Sequence, residues 1–135
     1  MENKKFNLFL DDMRIPVDAF PYTKNLLYLE LDWDLVNNYD EFVEAIREKG
    51  IPDVVSFDHD LDDEHYGWND QLDDIGYLLY EEKTGYHCAK WLIEYCMDNK
   101  KDIPTLILIH SMNPVGRKNI DSLFKTYKKI YGNND

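Results

Sequence analysis

Three short runs of the chain are almost continuously apolar, and each ends abruptly in polar residues. Strands of a parallel sheet are covered on both faces, so such runs predict buried parallel strands. A fourth segment, WDLVN, is the best candidate for the second strand of the sheet. The residues before it, 25–32, are expected to form an insertion or an extra edge strand. The predicted strands are therefore 6–10, 33–37, 53–57 and 105–109.

Between and after these runs, the hydrophobic spacing changes to that of a helix. The stretch 39–50 has an apolar stripe, with Asp40 as the expected N-cap and Gly50 as the terminating residue. The clearest helical pattern spans 84–100. A last helix is expected over 113–132, where an asparagine cap is followed by proline at the first helical position.

Two segments show neither pattern. The stretch 11–22 contains two prolines and no periodicity, which predicts a loop, and 62–83 is an acidic and aromatic excursion. The remaining strands and helices alternate, which predicts a three-layer α/β domain with a mainly parallel sheet of four or five strands. We therefore predict a single domain over 1–135 with insertions at about 15–32 and 62–83.

Polar side chains follow three of the predicted strands at the point where each strand ends. In open α/β sheets, ligands bind at the carboxyl ends of the strands, where the strand order reverses. Neighbouring parallel strands lie ~4.8 Å apart, so side chains from two such ends can approach one ligand. The residues concerned are Asp11, Asp12 and Arg14, then Asp58, His59 and Asp60, and then His110, Ser111, Asn113 and Arg117.

The chain is strongly acidic, with a formal net charge of −12 over 135 residues. Duplex DNA and anionic membrane surfaces both require a basic protein surface, so neither is an expected partner. An anionic substrate would need local positive charge or a metal ion to overcome the overall field. The chain has only three arginines, and two of them, Arg14 and Arg117, lie among the strand-end residues.

Cysteine usage and the start of the chain bear on location. Cys88 and Cys96 lie eight residues apart on one predicted helix, roughly 12 Å along its axis, so they cannot form a disulfide with each other. Reduced core cysteines are typical of the cytoplasm. The first residues do not resemble a signal peptide, and no apolar run approaches the ~20 residues that span a bilayer.

Four motifs taken together resemble a known family. FLDDMR, SFDHDL, TGYHCAKWL and HSMNPVGRKNI are similar to the cyclic-phosphate-processing receiver-like domains, divergent relatives of the flavodoxin-like response-regulator receiver fold. The resemblance covers 6–14, 33–61 and 84–130. Signalling receivers have an acidic pair after the first strand, a phosphoacceptor aspartate after the third and Ser or Thr after the fourth. The matching residues here are Asp11 and Asp12, then Asp58, then Ser111.

The departures from signalling receivers favour different chemistry. The lysine that follows a fifth strand in those proteins has no counterpart here, nor has the strand. Together with the resemblance, which implies cyclic-phosphate processing, this makes the leading hypothesis a phosphoesterase that opens a cyclic phosphate, on a 2′,3′-cyclic RNA end or a cyclic nucleotide. Imidazole suits both proton roles because its pKa is near neutrality. His59 and His110 would be acid and base, with Asp60 and Ser111 assisting them.

Phosphate and metal binding complete this hypothesis. Arg14, Asn113 and Arg117 would bind the phosphate, the last two near a helix N-terminus that attracts anions. Asp11, Asp12 and Asp58 could hold Mg²⁺, as their receiver counterparts do, or orient other groups. Each residue also has a structural interpretation: a strand-end histidine bonded to backbone, an ordinary helix cap at Asn113, or a solvated charge at Arg117.

Two other functions are consistent with the same residues. The domain could be a non-catalytic receiver that binds a nucleotide or a partner protein through its acidic pocket and insertions. It could also be a true phosphoacceptor at Asp58, although the missing lysine argues against this. The expected ligand of the leading hypothesis is a phosphate-containing small molecule or an RNA end, and the sequence does not indicate an oligomeric state.

Overall fold

The computed structural model describes residues 5–61 and 83–131. The described residues form a four-stranded sheet with five helices, as the alternation of strand and helix patterns predicts. None of these helices combines the length and apolarity needed to cross a membrane. In chain order the elements are β1 Asn7–Leu10, α1 Pro16–Thr23, α2 Leu27–Glu30, β2 Asp34–Val36, α3 Tyr39–Lys49, β3 Val54–Phe57, α4 Gly85–Asp98, β4 Leu106–Ile109 and α5 Pro114–Tyr131.

The strand order is β2-β1-β3-β4, and all three pairings are parallel. The chain moves from β1 outward to β2 and then returns to the other side of β1 to form β3. The strand order therefore reverses between β1 and β3, which is the position where α/β sheets form ligand crevices. This confirms the predicted α/β class and places the candidate site at the carboxyl ends of the two central strands.

The two faces of the sheet are covered by different helices. Leu8 and Leu10 of β1 point into the larger core, which the buried stripes of α3, α4 and α5 complete. Phe9 points the other way, into a smaller cluster with Ala19 of α1 and Tyr28 of α2. Successive strand residues face opposite sides of a sheet, so this alternation in β1 defines the two faces. The result is the predicted three-layer arrangement.

The prediction of a loop over 11–22 is wrong, because α1 occupies its second half. Pro16 stands at the first helical position, where the missing amide is no loss, and the Asp18 carboxylate accepts a hydrogen bond from Ile15 N. Pro21 removes one backbone bond inside the helix, but burial of Ala19 helps to hold the helix on the sheet. Of the two alternatives for 25–32, an insertion or an extra edge strand, the edge strand is wrong, since α2 forms there.

Two helix caps can be compared with their predictions. The N-cap of α3 is Asn38, whose side chain accepts a hydrogen bond from Glu41 N at 2.8 Å, and not Asp40, which lies in the first turn. Asn113 caps α5 as predicted, because its Oδ1 accepts from Gly116 N at 2.9 Å. The predicted end of α5 at Gly132 and most of the 62–83 segment lie outside the described residues.

Other predictions concern the strands and cysteines. Strand β4 is less buried than its fully apolar sequence predicts, because within the described sheet it is an edge strand with Leu106 exposed. Cys88 and Cys96 are both buried free thiols, as predicted. Burial raises the pKa of Cys96 to about 11, so this thiol stays protonated and unreactive at neutral pH.

Candidate functional site

Asp11, Asp58 and His110 occupy the rung immediately after the last paired residues of β1, β3 and β4. The backbone ladder continues through this rung, since Asp58 N bonds to Leu10 O at 3.0 Å and His110 N to Phe57 O at 2.9 Å. Strand side chains alternate with a period of two, so all three point to the face covered by α1 and α2. Register and alternation together therefore bring these three distant residues into one cluster.

Each member of the cluster is at most 2% exposed. One potential ligand atom from each lies within 4.8 Å of those of the other two, which makes the cluster a candidate cation site. Asp11 Oδ1 accepts hydrogen bonds from the backbone amides of Met13 and Arg14, at 2.8 and 2.9 Å. Asp58 Oδ1 accepts from His59 N at 2.9 Å, while Asp58 Oδ2 has no hydrogen-bond partner within the described residues.

The pKa values of the two carboxyl groups, Asp11 and Asp58, are shifted in opposite directions. Burial, together with repulsion from Asp11 and Asp60, raises the pKa of Asp58 to about 8. Burial also acts to raise the pKa of Asp11, but the hydrogen bonds from His110 and the backbone outweigh it, so this pKa lies below its usual value. Both oxygens of Asp11 thus have donors, while Oδ2 of Asp58 has none in the described residues, and a cation would supply the missing partner.

The imidazole of His110 is enclosed on all sides. It stacks on Phe9, with ring centroids 4.2 Å apart and planes 11° apart. Its Nε2 lies 3.0 Å from Asp11 Oδ2, and its Nδ1 lies 2.7 Å from Ser56 Oγ. Burial lowers the pKa of His110 despite the neighbouring carboxylate, so the ring is neutral at physiological pH.

Arg14 supplies positive charge beside the cluster. Its guanidinium lies 3.9 Å from Asp11 Oδ2, 3.4 Å from Met112 Sδ and 5.8 Å from the centre of the Tyr22 ring. The side chain is about one-third exposed, so it borders solvent as well as the buried carboxylates. Tyr22 donates a hydrogen bond to the His110 carbonyl oxygen at 2.6 Å, which ties α1 to the end of β4.

A second polar network lies beside the first, on the other face of the sheet. His59 Nδ1 is 2.7 Å from Asp60 Oδ1, and Asn113 Nδ2 donates to both oxygens of Asp60, at 3.2 and 3.3 Å. The His59 ring packs against Gly116 of α5, where an added Cβ would lie 2.3 Å from Cγ of His59. Ser111 Oγ accepts from Asn113 N at 3.1 Å, so it belongs to this capping structure.

His59 and His110 therefore do not converge on one point, and the expectation that both imidazoles approach a single phosphate is wrong. His59 is one residue beyond the rung that contains His110, so its side chain points to the opposite face. Both rings are fully buried. The two histidines support neighbouring parts of the same strand-end edge from its two sides.

The remaining predicted site residues take different positions. Asp12 is partly exposed, and its charge contributes to the raised pKa of Asp58, but the candidate cation cluster contains His110 in its place. Arg117 is exposed and lines a shallow groove along the outer edge of β4, with Ile107 and Ile109. Arg14 is thus the predicted arginine that the structure brings to the acidic cluster.

Several residues that shape the site were not predicted from the sequence. Tyr28 and Ser56 extend the His110 hydrogen bonds, and Tyr22 holds its backbone. Gly85 lies so close to β3 that an added Cβ would be 1.8 Å from the Asp58 carbonyl oxygen. The signals in the sequence that could have pointed to these residues were a serine inside the apolar run VVSF and glycines at the starts of two helices.

The chain matches the family model described as the cyclic-phosphate processing receiver domain over residues 6–126. The protein belongs to this family. The match includes every member of the strand-end cluster and both polar networks, so the cyclic-phosphate processing receiver domain is the unit that contains the site. Neither the comparison with curated proteins nor that with solved structures finds a match.

The residues present in this receiver domain fit a divalent cation. Hard cations such as Mg²⁺ prefer carboxylate oxygens, and Asp11 and Asp58 supply them at the topological switch point. Oδ2 of Asp58 is the observation that favours this interpretation, because a buried carboxylate oxygen without a partner is costly. Asp11 and Asp58 are therefore the residues of the receiver domain best suited to hold such an ion.

Proposed function

We propose that this receiver domain hydrolyses a cyclic phosphodiester, such as a 2′,3′-cyclic phosphate on RNA or a cyclic nucleotide. The family supports processing of cyclic phosphates, and the Asp11–Asp58 edge supports hydrolysis as the reaction. The observation on which the proposal depends is the buried carboxylate oxygen of Asp58, which has no hydrogen-bond partner in the described residues and lies beside Asp11. A buried pair in which one carboxylate oxygen has no partner is suited to a reaction that needs a cation.

Ring opening requires water to attack phosphorus. A new P–O bond forms to the water oxygen, one ester P–O bond of the ring breaks, and a proton passes to the departing sugar oxygen. The product is a phosphomonoester. A divalent ion bound by Asp11 and Asp58 would lower the pKa of the attacking water and offset the charge on the phosphoryl oxygens.

Arg14 is the side chain best placed to bind the phosphate. Its guanidinium borders both solvent and the buried carboxylates, and a planar guanidinium can bind two phosphoryl oxygens at once. The Arg14 charge also opposes the upward shift of the Asp58 pKa. Binding through Arg14 would place the phosphate over the edge at which Asp11 and Asp58 meet.

The structure changes the roles proposed for the histidines. His110 already bonds to Asp11 and Ser56 through its two ring nitrogens, so its role in this proposal is to hold Asp11 in place. His59, bonded to Asp60 and packed on Gly116, supports the loop that presents Asp58. The general acid and base would then be water and solvent-accessible groups, and not this pair of imidazoles.

The test is to incubate the protein with 2′,3′-cyclic AMP and with 3′,5′-cyclic AMP, each with Mg²⁺ or with EDTA. Phosphorus NMR separates cyclic diesters from phosphomonoesters. The proposal predicts monoester from at least one substrate in Mg²⁺ and a large loss of rate in EDTA. The proposal would be refuted if neither nucleotide, nor RNA with a 2′,3′-cyclic end, gave any monoester.

One observation favours a second candidate, a non-catalytic module that binds a nucleotide. The rings of His59 and His110 are fully buried. Neither of these two histidines, the residues of the site best suited to proton transfer near pH 7, therefore borders solvent. A binding module would show heat of association with a cyclic nucleotide in calorimetry, while phosphorus NMR of the same sample would show the nucleotide unchanged. Product in that sample would exclude this alternative.

A further inference from the structure

A chain of buried hydrogen bonds runs from α2 through β3 and β4 to the acidic cluster. Tyr28 Oη lies 2.6 Å from Ser56 Oγ, and Ser56 Oγ lies 2.7 Å from His110 Nδ1. On the other side of the ring, His110 Nε2 lies 3.0 Å from Asp11 Oδ2. Tyr28 is 4% exposed and Ser56 is fully buried.

The direction of each bond follows from counting hydrogens. Within the described residues, Ser56 is the only hydrogen-bond partner of the Tyr28 hydroxyl, so the tyrosine hydrogen is satisfied only if Tyr28 donates to Ser56. Ser56 then accepts from Tyr28 and has its single hydrogen left for Nδ1 of His110. Since Nδ1 accepts, it carries no proton, and the ring proton is on Nε2, where it is donated to the Asp11 carboxylate.

The opposite arrangement leaves groups unsatisfied. If Nδ1 carried the proton, it would donate to Ser56, and the hydrogen of either Ser56 or Tyr28 would then have no acceptor among the described residues. Nε2 would then present a lone pair to the carboxylate of Asp11. A buried donor without a partner destabilises the fold, and the facing lone pairs would add to that cost.

We infer that Tyr28 and Ser56 are positioning residues that fix His110 in the Nε2–H tautomer, so that the ring donates to Asp11 and does not bind a metal ion itself. This inference deepens the proposed function and rests on it for its role in turnover. A cation at the cluster would then be held by the carboxylates of Asp11 and Asp58, with His110 bonded to Asp11 behind it. Residues that bond to metal ligands in this way typically affect affinity or activity about 10–100-fold.

The decisive readout is nitrogen NMR of the histidine rings in the full-length protein, with His110 assigned by comparison with His110→Asn. The inference predicts an unprotonated Nδ1 and a protonated Nε2 in the metal-free protein at about pH 7.5. Adding Mg²⁺ should shift these signals slightly and leave Nε2 protonated. A protonated Nδ1 without metal, or loss of the Nε2 proton on adding Mg²⁺, would overturn the inference.

Two variants test the role of the hydroxyl groups, and a third is the matched control. Tyr28→Phe and Ser56→Ala each break the chain, so the His110 signals should broaden or show a second tautomer, and kcat should fall about 10-fold with KM less affected. Tyr22→Phe removes a hydroxyl that bonds to the His110 backbone and not to the His110 ring. The tautomer of His110 should therefore stay unchanged in this variant. If Ser56→Ala does not fold, Tyr28→Phe alone decides, and a wild-type spectrum and kcat in Tyr28→Phe would contradict the inference.

Failure of this inference can be distinguished from failure of the proposed function. The tautomer is measured without substrate, so an Nε2–H ring in a protein that opens no cyclic phosphate would leave the hydrogen-bond chain intact and refute only the hydrolase. Turnover by a protein whose His110 is an Nδ1–H ring would refute the inferred hydrogen-bond chain and leave the proposed hydrolase activity standing.

Discussion

Asp11 and Asp58 each present a carboxylate oxygen within 4.8 Å of the other, on adjacent central strands and almost entirely shielded from solvent. Backbone amides and His110 donate to Asp11, whereas Asp58 Oδ2 has no such donor in the described part of the chain. Two buried carboxylates this close do not both ionise without compensation. The pair therefore links protonation, metal binding and stability in ways that can be measured.

In the metal-free protein, Asp58 should make the fold less stable as the pH rises. The unfolded chain releases this proton near the ordinary aspartate pKa of 3.8, whereas the folded protein keeps it up to about 8. The contribution is therefore fully present below about 4 and is lost as pH rises to about 8, by up to about 1.4 kcal/mol per pH unit. Urea unfolding of wild type and Asp58→Asn at about pH 5 and about pH 8 should show the variant gaining relative stability at the higher pH. Parallel pH dependences would contradict the shifted pKa.

Divalent cations should stabilise the protein through the same residues. At a concentration about one hundred times Kd, Mg²⁺ or Mn²⁺ should raise the free energy of unfolding by about 2.7 kcal/mol. The apparent affinity should increase between about pH 6 and pH 8, because the ion must displace the Asp58 proton. Thermal unfolding should show this shift in wild type and in the control Asp98→Asn, an exposed residue at the end of α4, but not in Asp58→Asn. An equal shift in all three proteins would place the ion elsewhere.

Gly116 and Gly85 should not tolerate alanine, although both lie in helices. Alanine normally stabilises a helix interior relative to glycine by roughly 0.5–1 kcal/mol. Here an added Cβ would lie 2.3 Å from Cγ of His59 or 1.8 Å from the carbonyl oxygen of Asp58. We expect Gly116→Ala and Gly85→Ala to destabilise the fold by about 1–3 kcal/mol in urea unfolding.

The control for the glycine variants is Ser122→Ala, an exposed position of α5, which should be neutral or slightly stabilising. Gly116→Ala should also change the ring signals of His59 in NMR spectra. A glycine variant as stable as Ser122→Ala, with its His59 spectrum unchanged, would show that these close approaches do not constrain the site.

Arg14 should matter for phosphate binding more than the other arginines. A charged hydrogen bond contributes about 1.5–3 kcal/mol, so Arg14→Ala should weaken binding of a cyclic nucleotide about 10-fold or more. Arg47→Ala is the matched control, because Arg47 lies in the last turn of α3 and contacts Trp91. Calorimetry of both variants and of Arg117→Ala would rank the three arginines. Equal affinity in wild type and Arg14→Ala would remove Arg14 from the site.

Much of the fold could be predicted from the sequence because its signals are local. Apolar runs mark β1, β3 and β4, and the polar residues that follow them mark the edge that contains the candidate site. Helix α1 could not be predicted in this way, since Pro16 and Pro21 indicate a loop unless the contacts of Ala19 and Tyr22 with the sheet face and the end of β4 are known. Local preference was overridden there by tertiary packing.

The residues of the candidate site could be selected from the sequence, but their geometry could not. Asp11, Asp58 and His110 share a rung only because β3 and β4 pair with Phe57 opposite Ile109, and that register depends on the whole β3–α4–β4 unit. If the register is not known, His59 is as good a candidate as Asp58 for the residue that lies beside His110. The Tyr28–Ser56 contact is equally non-local, since its residues are separated by 28 positions.

The most direct test of hydrolysis at the Asp11–Asp58 edge is the rate at which Asp58→Asn converts a cyclic phosphate that the wild type opens, followed by phosphorus NMR in saturating Mg²⁺. Asparagine preserves the shape of the side chain but cannot supply the carboxylate, so we predict a rate at least about 100-fold below that of wild type and of Asp98→Asn. A folded Asp58→Asn protein that forms phosphomonoester at the wild-type rate would contradict the proposed site.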